Sequence, residues 1–162
     1  MTMTKQQLYQ HIVSTLQSDL QAAIAAAQAA HETATHEENV AENKYDTRGL
    51  EAAYLAAGYS KRIQEIQQSL QAYLNLVIRT HEAEHGVQLS SLVVVCDTVG
   101  KQQTFFLGPA GAGLKIRTDT GDIMVITPNA PLGRALLGKT EGEEISLSIG
   151  STKQIFEVVS VE

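Results

Sequence analysis

The placement of proline and glycine restricts this chain more than any other feature of its sequence. Residues 4–78 contain no proline, whereas all three prolines and nine of the twelve glycines lie beyond Gly86. The first stretch is rich in Ala, Gln, Glu and Leu and has nothing to break a long helix. Its apolar residues recur at helical spacing: Leu8, Ile12, Leu16, Leu20, Ile24, Ala27, then Ala30 or His31. A second series runs Leu55, Ile63, Ile66, Leu70, Tyr73, Val77. Spacings of three and four place one apolar stripe on each helix. Between the two series lies a polar stretch, residues 36–46. Two comparable helices around a polar point predict an antiparallel hairpin, a coiled coil with its stripes zipped together. At 1.5 Å per residue, arms of roughly 30 to 35 residues are about 45–50 Å long. Such a pair has no globular core of its own and needs an anchor at its open end.

The remainder of the chain has the vocabulary of strands and turns. Strands are expected at Leu92–Asp97, Gln103–Leu107, Leu114–Arg117, Asp122–Thr127, Glu144–Ile149 and Gln154–Val161. One short helix is expected at Pro131–Leu137, with Pro131 suited to a first helical position and Gly138 to the residue past the end. The class is therefore α+β: a helical hairpin over residues 1–80, a linker at 81–91, and a small α+β domain at 92–162.

Charge and composition exclude several functions. The net charge is −6. Residues 1–80 carry 6 basic and 8 acidic side chains, and residues 81–162 carry 6 and 10. Neither half offers the basic face that independent binding of duplex DNA requires. Cys96 is the only cysteine, which excludes an internal disulfide and a cysteine-rich zinc site and fits a reducing cytoplasm. Its neighbours Val93-Val94-Val95 mark it as a small buried hydrophobe. The opening Met1-Thr2-Met3-Thr4-Lys5-Gln6 has no apolar core of a signal peptide. No run of about 18 apolar residues is available to span a membrane.

Three motifs match known patterns in letters. Gly133-Arg134-Ala135-Leu136-Leu137-Gly138-Lys139-Thr140 fits the phosphate-binding Walker A expression. A phosphate cradle needs a strand before the loop and a helix after it, and here the helix is expected inside the motif. His81-Glu82-Ala83-Glu84-His85 fits a zinc-protease pattern, whose two histidines would share a helical face. It stands at the composition break without a third ligand, and reads as a solvated hinge. His31 and His36 are five apart and point about 140° from each other on a helix. His31 is assigned to the edge of the helix interface and His36 to the surface of the tip.

The last third is more specific. Ile126-Thr127-Pro128-Asn129-Ala130-Pro131-Leu132-Gly133-Arg134-Ala135-Leu136-Leu137-Gly138-Lys139 resembles the signature of the Gre transcript-cleavage factors, the GreA/GreB family. Gly142-Glu143-Glu144-Ile145-Ser146-Leu147 and Ile155-Phe156-Glu157-Val158-Val159-Ser160-Val161 continue it. In the first half, Glu42-Asn43-Lys44-Tyr45 resembles the family's hairpin tip and Arg62-Ile63-Gln64-Glu65-Ile66 a run on its second helix. Two positions depart from the pattern: three residues before Glu42 stands Asn39, with the acid Glu38 four before, and Ala130 occupies the place of the family's serine in a Ser-Pro turn.

This resemblance implies an FKBP-like fold for the second domain, without isomerase activity. It implies an accessory protein that is no enzyme itself, binds RNA polymerase at the secondary channel, and acts on nascent RNA in backtracked complexes. Asn129, Ala130 and Pro131, assisted by Arg134, would dock on the polymerase. Acidic tip residues, Glu38 and Glu42 first with Glu37 and Asp46 as substitutes, would stimulate RNA cleavage. Glu38 and Glu42 would share a Mg²⁺ ion of the polymerase active site only within the complex; no cofactor of the chain's own is implied. On a helix, Glu38, Glu42 and Asp46 fall near one face, where like charges four apart repel by a few tenths of a kcal/mol and a cation would relieve them. A second reading keeps the partner and drops the chemistry: a non-cleaving regulator in the same channel. The altered acid spacing and the absence of Lys or Arg from residues 20–43 favour it.

Overall fold

A computed structural model of the chain describes residues 3–35 and 48–162. It contains two long helices, α1 (Lys5–Thr35) and α2 (Arg48–Leu74), then strands β1 (Leu92–Cys96), β2 (Gln102–Leu107), β3 (Lys115–Thr118) and β4 (Gly121–Ile126), a short helix α3 (Pro131–Leu136), and strands β5 (Glu144–Ile149) and β6 (Thr152–Val161). The α+β class and the order of elements are those expected. The chain divides into two compact units, Val13–Gln71 and Met1–Ile12 with Ala72–Glu162.

The helical unit buries Leu16, Ala23 and Ile66. Leu20 and Ile24, placed on the apolar stripe by the sequence, are only half-buried. A run of consecutive four-residue steps turns 40° per step away from a fixed line, because the helix repeats every 3.6 residues. Seven residues from Leu16 return almost to that line, so Ala23 takes the buried place. His31, assigned to the interface edge, is exposed. Helix α2 ends at Leu74, and Val77, expected on its stripe, lies beyond the helix and is 65% exposed.

The second unit is built on a six-stranded sheet in the order β3-β4-β2-β1-β6-β5. Only β2 and β4 pair in parallel; the other neighbours are antiparallel. Of its two central strands, β1 is buried over most of its length and β2 over its second half. Leu-Val-Val-Val is a run of apolar, mainly β-branched residues suited to a strand covered on both faces. Edge strand β5 alternates Glu-Ile-Ser-Leu, with Ile145 buried and the two polar residues exposed. One face carries Val93, Val95, Phe105, Leu107, Ile126, Val158 and Val161, packed with Ile145 and with Leu136 of α3. Leu92, Phe106, Ile116, Ile123 and Val125 alternate onto the opposite face and are also buried.

The ends of the long helices belong to this unit. Leu8 and Ile12 of α1 and Tyr73 of α2 are buried. The Tyr9 hydroxyl donates to the Tyr73 carbonyl at 3.0 Å, so the start of α1 meets the end of α2, as an antiparallel pair requires. The Tyr73 hydroxyl donates to the Ala110 carbonyl at 2.7 Å. Gly108 makes room for it: a Cβ there would stand 2.3 Å from the Tyr73 oxygen.

The stretch expected as a linker is tied down from Gly86 onward. Gly86, Val87, Ser90 and Ser91 are buried. The Val87 N–H donates to the Lys139 carbonyl and the Gly138 N–H to the Val87 carbonyl. Ser90 holds a left-handed φ of 77°, costly for a residue with a side chain. That conformation is held from two sides: its N–H donates to the Leu107 carbonyl, and its Oγ accepts from the Arg79 N–H.

Candidate functional site

Strand β4 ends at Ile126 and the chain turns through Thr127-Pro128-Asn129-Ala130 into α3. The turn is closed by the Ala130 N–H donating to the Thr127 carbonyl at 3.1 Å. Ala130 is extended (φ −76°, ψ 150°), and Pro131 opens the helix where no N–H is needed. Alanine supplies no side-chain cap at this position, so the capping bond of a serine is absent.

Gly133 presses α3 onto the turn. A Cβ there would lie 1.9 Å from the Thr127 carbonyl oxygen, which no side chain tolerates. Gly138 leaves the helix at φ 78° and bonds to Val87. Packing and turn geometry thus account for both glycines of the Walker-like string, and its helix lies inside the motif, as expected. Residues 81–85 of the zinc-like string lie outside any helix, so no helical face brings the two histidines together. His85 instead pairs with Glu82 (Nδ1 to Oε2, 2.9 Å), both exposed. No cluster of three metal-ligating side chains occurs among the described residues.

Beside the turn runs a groove of about 750 Å³. Ala130, Pro131 and Leu132 form one wall; residues 147–149 of β5 and 153–156 of β6 form another, with Asp97 and Thr98 at an end. Ile149 is 59% exposed and Ile155 39% exposed, so the groove offers apolar anchors to a partner. Lys153 and Asp97 add one charge of each sign. The Asp97 carboxylate accepts from the N–H groups of Val99 and Lys101 at 3.0 and 2.8 Å, which fixes the loop between β1 and β2.

Of the docking residues expected from the sequence, Ala130 and Pro131 line this groove. Asn129 and Arg134 are exposed beside it and do not line it. Glu37, Glu38, Glu42 and Asp46, and with them His36, lie outside the described residues. The sequence reading missed Ile149 and Ile155. Their signal was present: an apolar residue directly before the Gly150 turn, and another on a strand whose core positions are Val158 and Val161.

Among the described residues no helix is long and apolar enough to cross a membrane. Comparison with curated proteins gives no significant match. Several solved structures are similar to this chain. The GreA factor homolog 1 (Gfh1) protein of Thermus thermophilus is 24% identical, with 93% of this chain and 94% of that chain covered and a TM-score of 0.38. Thermus aquaticus Gfh1 is 21% identical, with 92% of each chain covered and a TM-score of 0.39. The prokaryotic transcription elongation factor GreA/GreB from Nitrosomonas europaea is 21% identical, covering 64% of this chain and 78% of that chain, with a TM-score of 0.37. The family model described as transcription elongation factor, GreA/GreB, C-terminal domain, matches residues 82–162. That match is half of the chain and includes every strand, α3 and the groove, and the chain belongs to the GreA/GreB family of transcription elongation factors.

Proposed function

We propose that this chain binds RNA polymerase through the groove beside Ala130 and Pro131 and places the helical hairpin in the secondary channel. The observation that carries this reading is the groove itself. It combines the family's docking turn, where Gly133 packs α3 closely on Thr127, with exposed Ile149 and Ile155 on the facing wall. Interfaces draw most of their affinity from a few apolar anchors that become desolvated, and this surface offers them. Asn129 and Arg134 stand at its rim, where polar groups set orientation more than affinity. The protein works in the cytoplasm, carries no cofactor of its own, and performs no chemistry alone.

The tip carboxylates supply the second part of the function. Mg²⁺ takes oxygen ligands and keeps several waters, so Glu38 and Glu42 are donors of the right kind for an ion shared with the polymerase active site. Glu37 and Asp46 lie close enough in sequence to substitute. Such an ion, when bound, activates water for in-line attack on the RNA phosphodiester. Glu38 and Glu42 offer the oxygens that hold it, and the polymerase's own nuclease activity then trims backtracked RNA. The second reading, a regulator that occupies the channel without cleavage, rests on Asn39 three residues before Glu42 and on the absence of Lys and Arg from residues 20–43. A basic stripe would attract RNA phosphates, and this segment has none.

The test is release of a 3′ RNA fragment from a stalled, backtracked elongation complex. The cleavage reading expects release with the wild type and none with Glu38→Ala/Glu42→Ala at equal polymerase occupancy. Occupancy without release by the wild type assigns the regulator reading.

A further inference from the structure

A second hollow, of about 530 Å³, lies on the unit that holds the sheet and is independent of the polymerase groove. It is lined by the start of α1, by residues 78–81, and by the end of β6. Within a chain of net charge −6, this hollow gathers Lys5, Arg79 and His81, with Glu162 beside them.

The Lys5 ammonium donates to the Arg79 carbonyl. It is partly buried, and that burial lowers its pKa from the usual lysine value against the opposing pull of Glu162. A desolvated ammonium gains more from an anionic partner than a hydrated one. The Arg79 main chain is fixed at both ends of its peptide plane pair, its N–H to Ser90 Oγ and its carbonyl to Lys5. Its guanidinium makes no ion pair among the described residues and is exposed. His81 contributes an orphan: its Nδ1 is buried without a hydrogen-bond partner. Thr80 adds a hydroxyl.

The helix start adds positive potential. Thr4 and Gln7 cap each other, the Gln7 N–H donating to Thr4 Oγ1 and the Thr4 N–H to Gln7 Oε1. The Lys5 and Gln6 N–H groups have no partner within an α-helix by its geometry. No acidic side chain occupies the first turn to offset the dipole.

We propose that the hollow formed by Lys5, Arg79, Thr80 and His81 is a binding site for a small phosphate-type oxyanion of the size of pyrophosphate. Two cations, a hydroxyl and an imidazole give such an anion charge-assisted hydrogen bonds from several directions. Glu162 is the acidic residue that lines the hollow, and its attraction for Lys5 works against the effect of burial.

The test is calorimetric titration of the full chain with pyrophosphate at constant ionic strength, with the imidazole signals of His81 followed by NMR. Saturable one-to-one binding is expected, moving the His81 signals with the same midpoint. Arg79→Gln keeps both main-chain bonds and the fold, and weakens binding at least about tenfold, the loss of one charge-assisted contact. Lys5→Gln acts in the same direction, and Lys115→Gln, on β3, leaves affinity unchanged. Heat that does not saturate, or equal affinity in wild type and Arg79→Gln, overturns the proposal.

Discussion

Replacing Gly108 by alanine tests how the end of α2 is fastened to the sheet. The new Cβ would stand 2.3 Å from the Tyr73 oxygen and 3.2 Å from Cζ, against a side chain that is fully buried. The Tyr73 ring must then shift and give up its 2.7 Å bond to Ala110. Overpacking of this kind costs about 1–3 kcal/mol, and a lost hydrogen bond about 1 kcal/mol. Gly108 does not hold a left-handed φ, so alanine brings no backbone strain. Tyr73→Phe removes the hydroxyl and costs about 1 kcal/mol by itself. In that background the atom that collides with the new Cβ is gone. Gly108→Ala is then expected to cost little, offset by the restricted unfolded chain. The double variant is therefore more stable than the sum of the single effects, by about 2–4 kcal/mol. Urea denaturation of the four proteins measures this cycle. Additive effects would refute the Tyr73–Gly108 lock.

Three further outcomes follow from the same geometry. Gly133→Ala puts a Cβ 1.9 Å from the Thr127 carbonyl and must displace α3; a loss of about 3 kcal/mol or more is expected in urea denaturation, together with weaker polymerase binding. Burial raises the Tyr73 pKa well above the ordinary 10.0. Its contribution is fully present below that pH and is lost as pH rises through the folded-state value, so stability falls above about pH 10 and falls less steeply in Tyr73→Phe, as alkaline melting curves would show. The Glu143 carboxyl is held below the usual 4.5, first by the Thr140 N–H at 2.7 Å, and also by the Thr140 hydroxyl and the Lys139 cation. That contribution is present above pH 4.5 and is lost as pH falls through the lowered value; Glu143→Gln flattens the acid limb of a stability profile.

Periodicity made the secondary structure legible, because each strand or helix declares itself within a few residues. All six strands and α3 lie within a residue or two of their expected places. What escaped was set by contacts distant in sequence. Tyr73 reads as one more residue of an apolar stripe, yet it reaches 37 positions along the chain to Ala110. Gly108 is one of nine glycines beyond Gly86, and only the fold shows that it admits that hydroxyl. The stretch from Gly86 to Ser91 has the polar, glycine-containing composition of a linker, and only the bonds to Leu107, Lys139 and Arg79 show it to be fixed. At the candidate site the turn into α3 was legible from Ala130-Pro131. The facing wall was not, since Ile149 and Ile155 acquire meaning only when β5 and β6 are folded beside α3.

The groove beside α3 is the surface proposed to meet RNA polymerase. Its most direct test is equilibrium binding of the purified chain to the cognate core polymerase, wild type against Ile149→Asp. Ile149 is 59% exposed at the end of an edge strand, so the change spares the core. Loss of an apolar anchor and burial of an unpaired carboxylate predict binding weakened about 30-fold, with urea stability unchanged. Undiminished binding by the folded variant would exclude the groove as the docking surface.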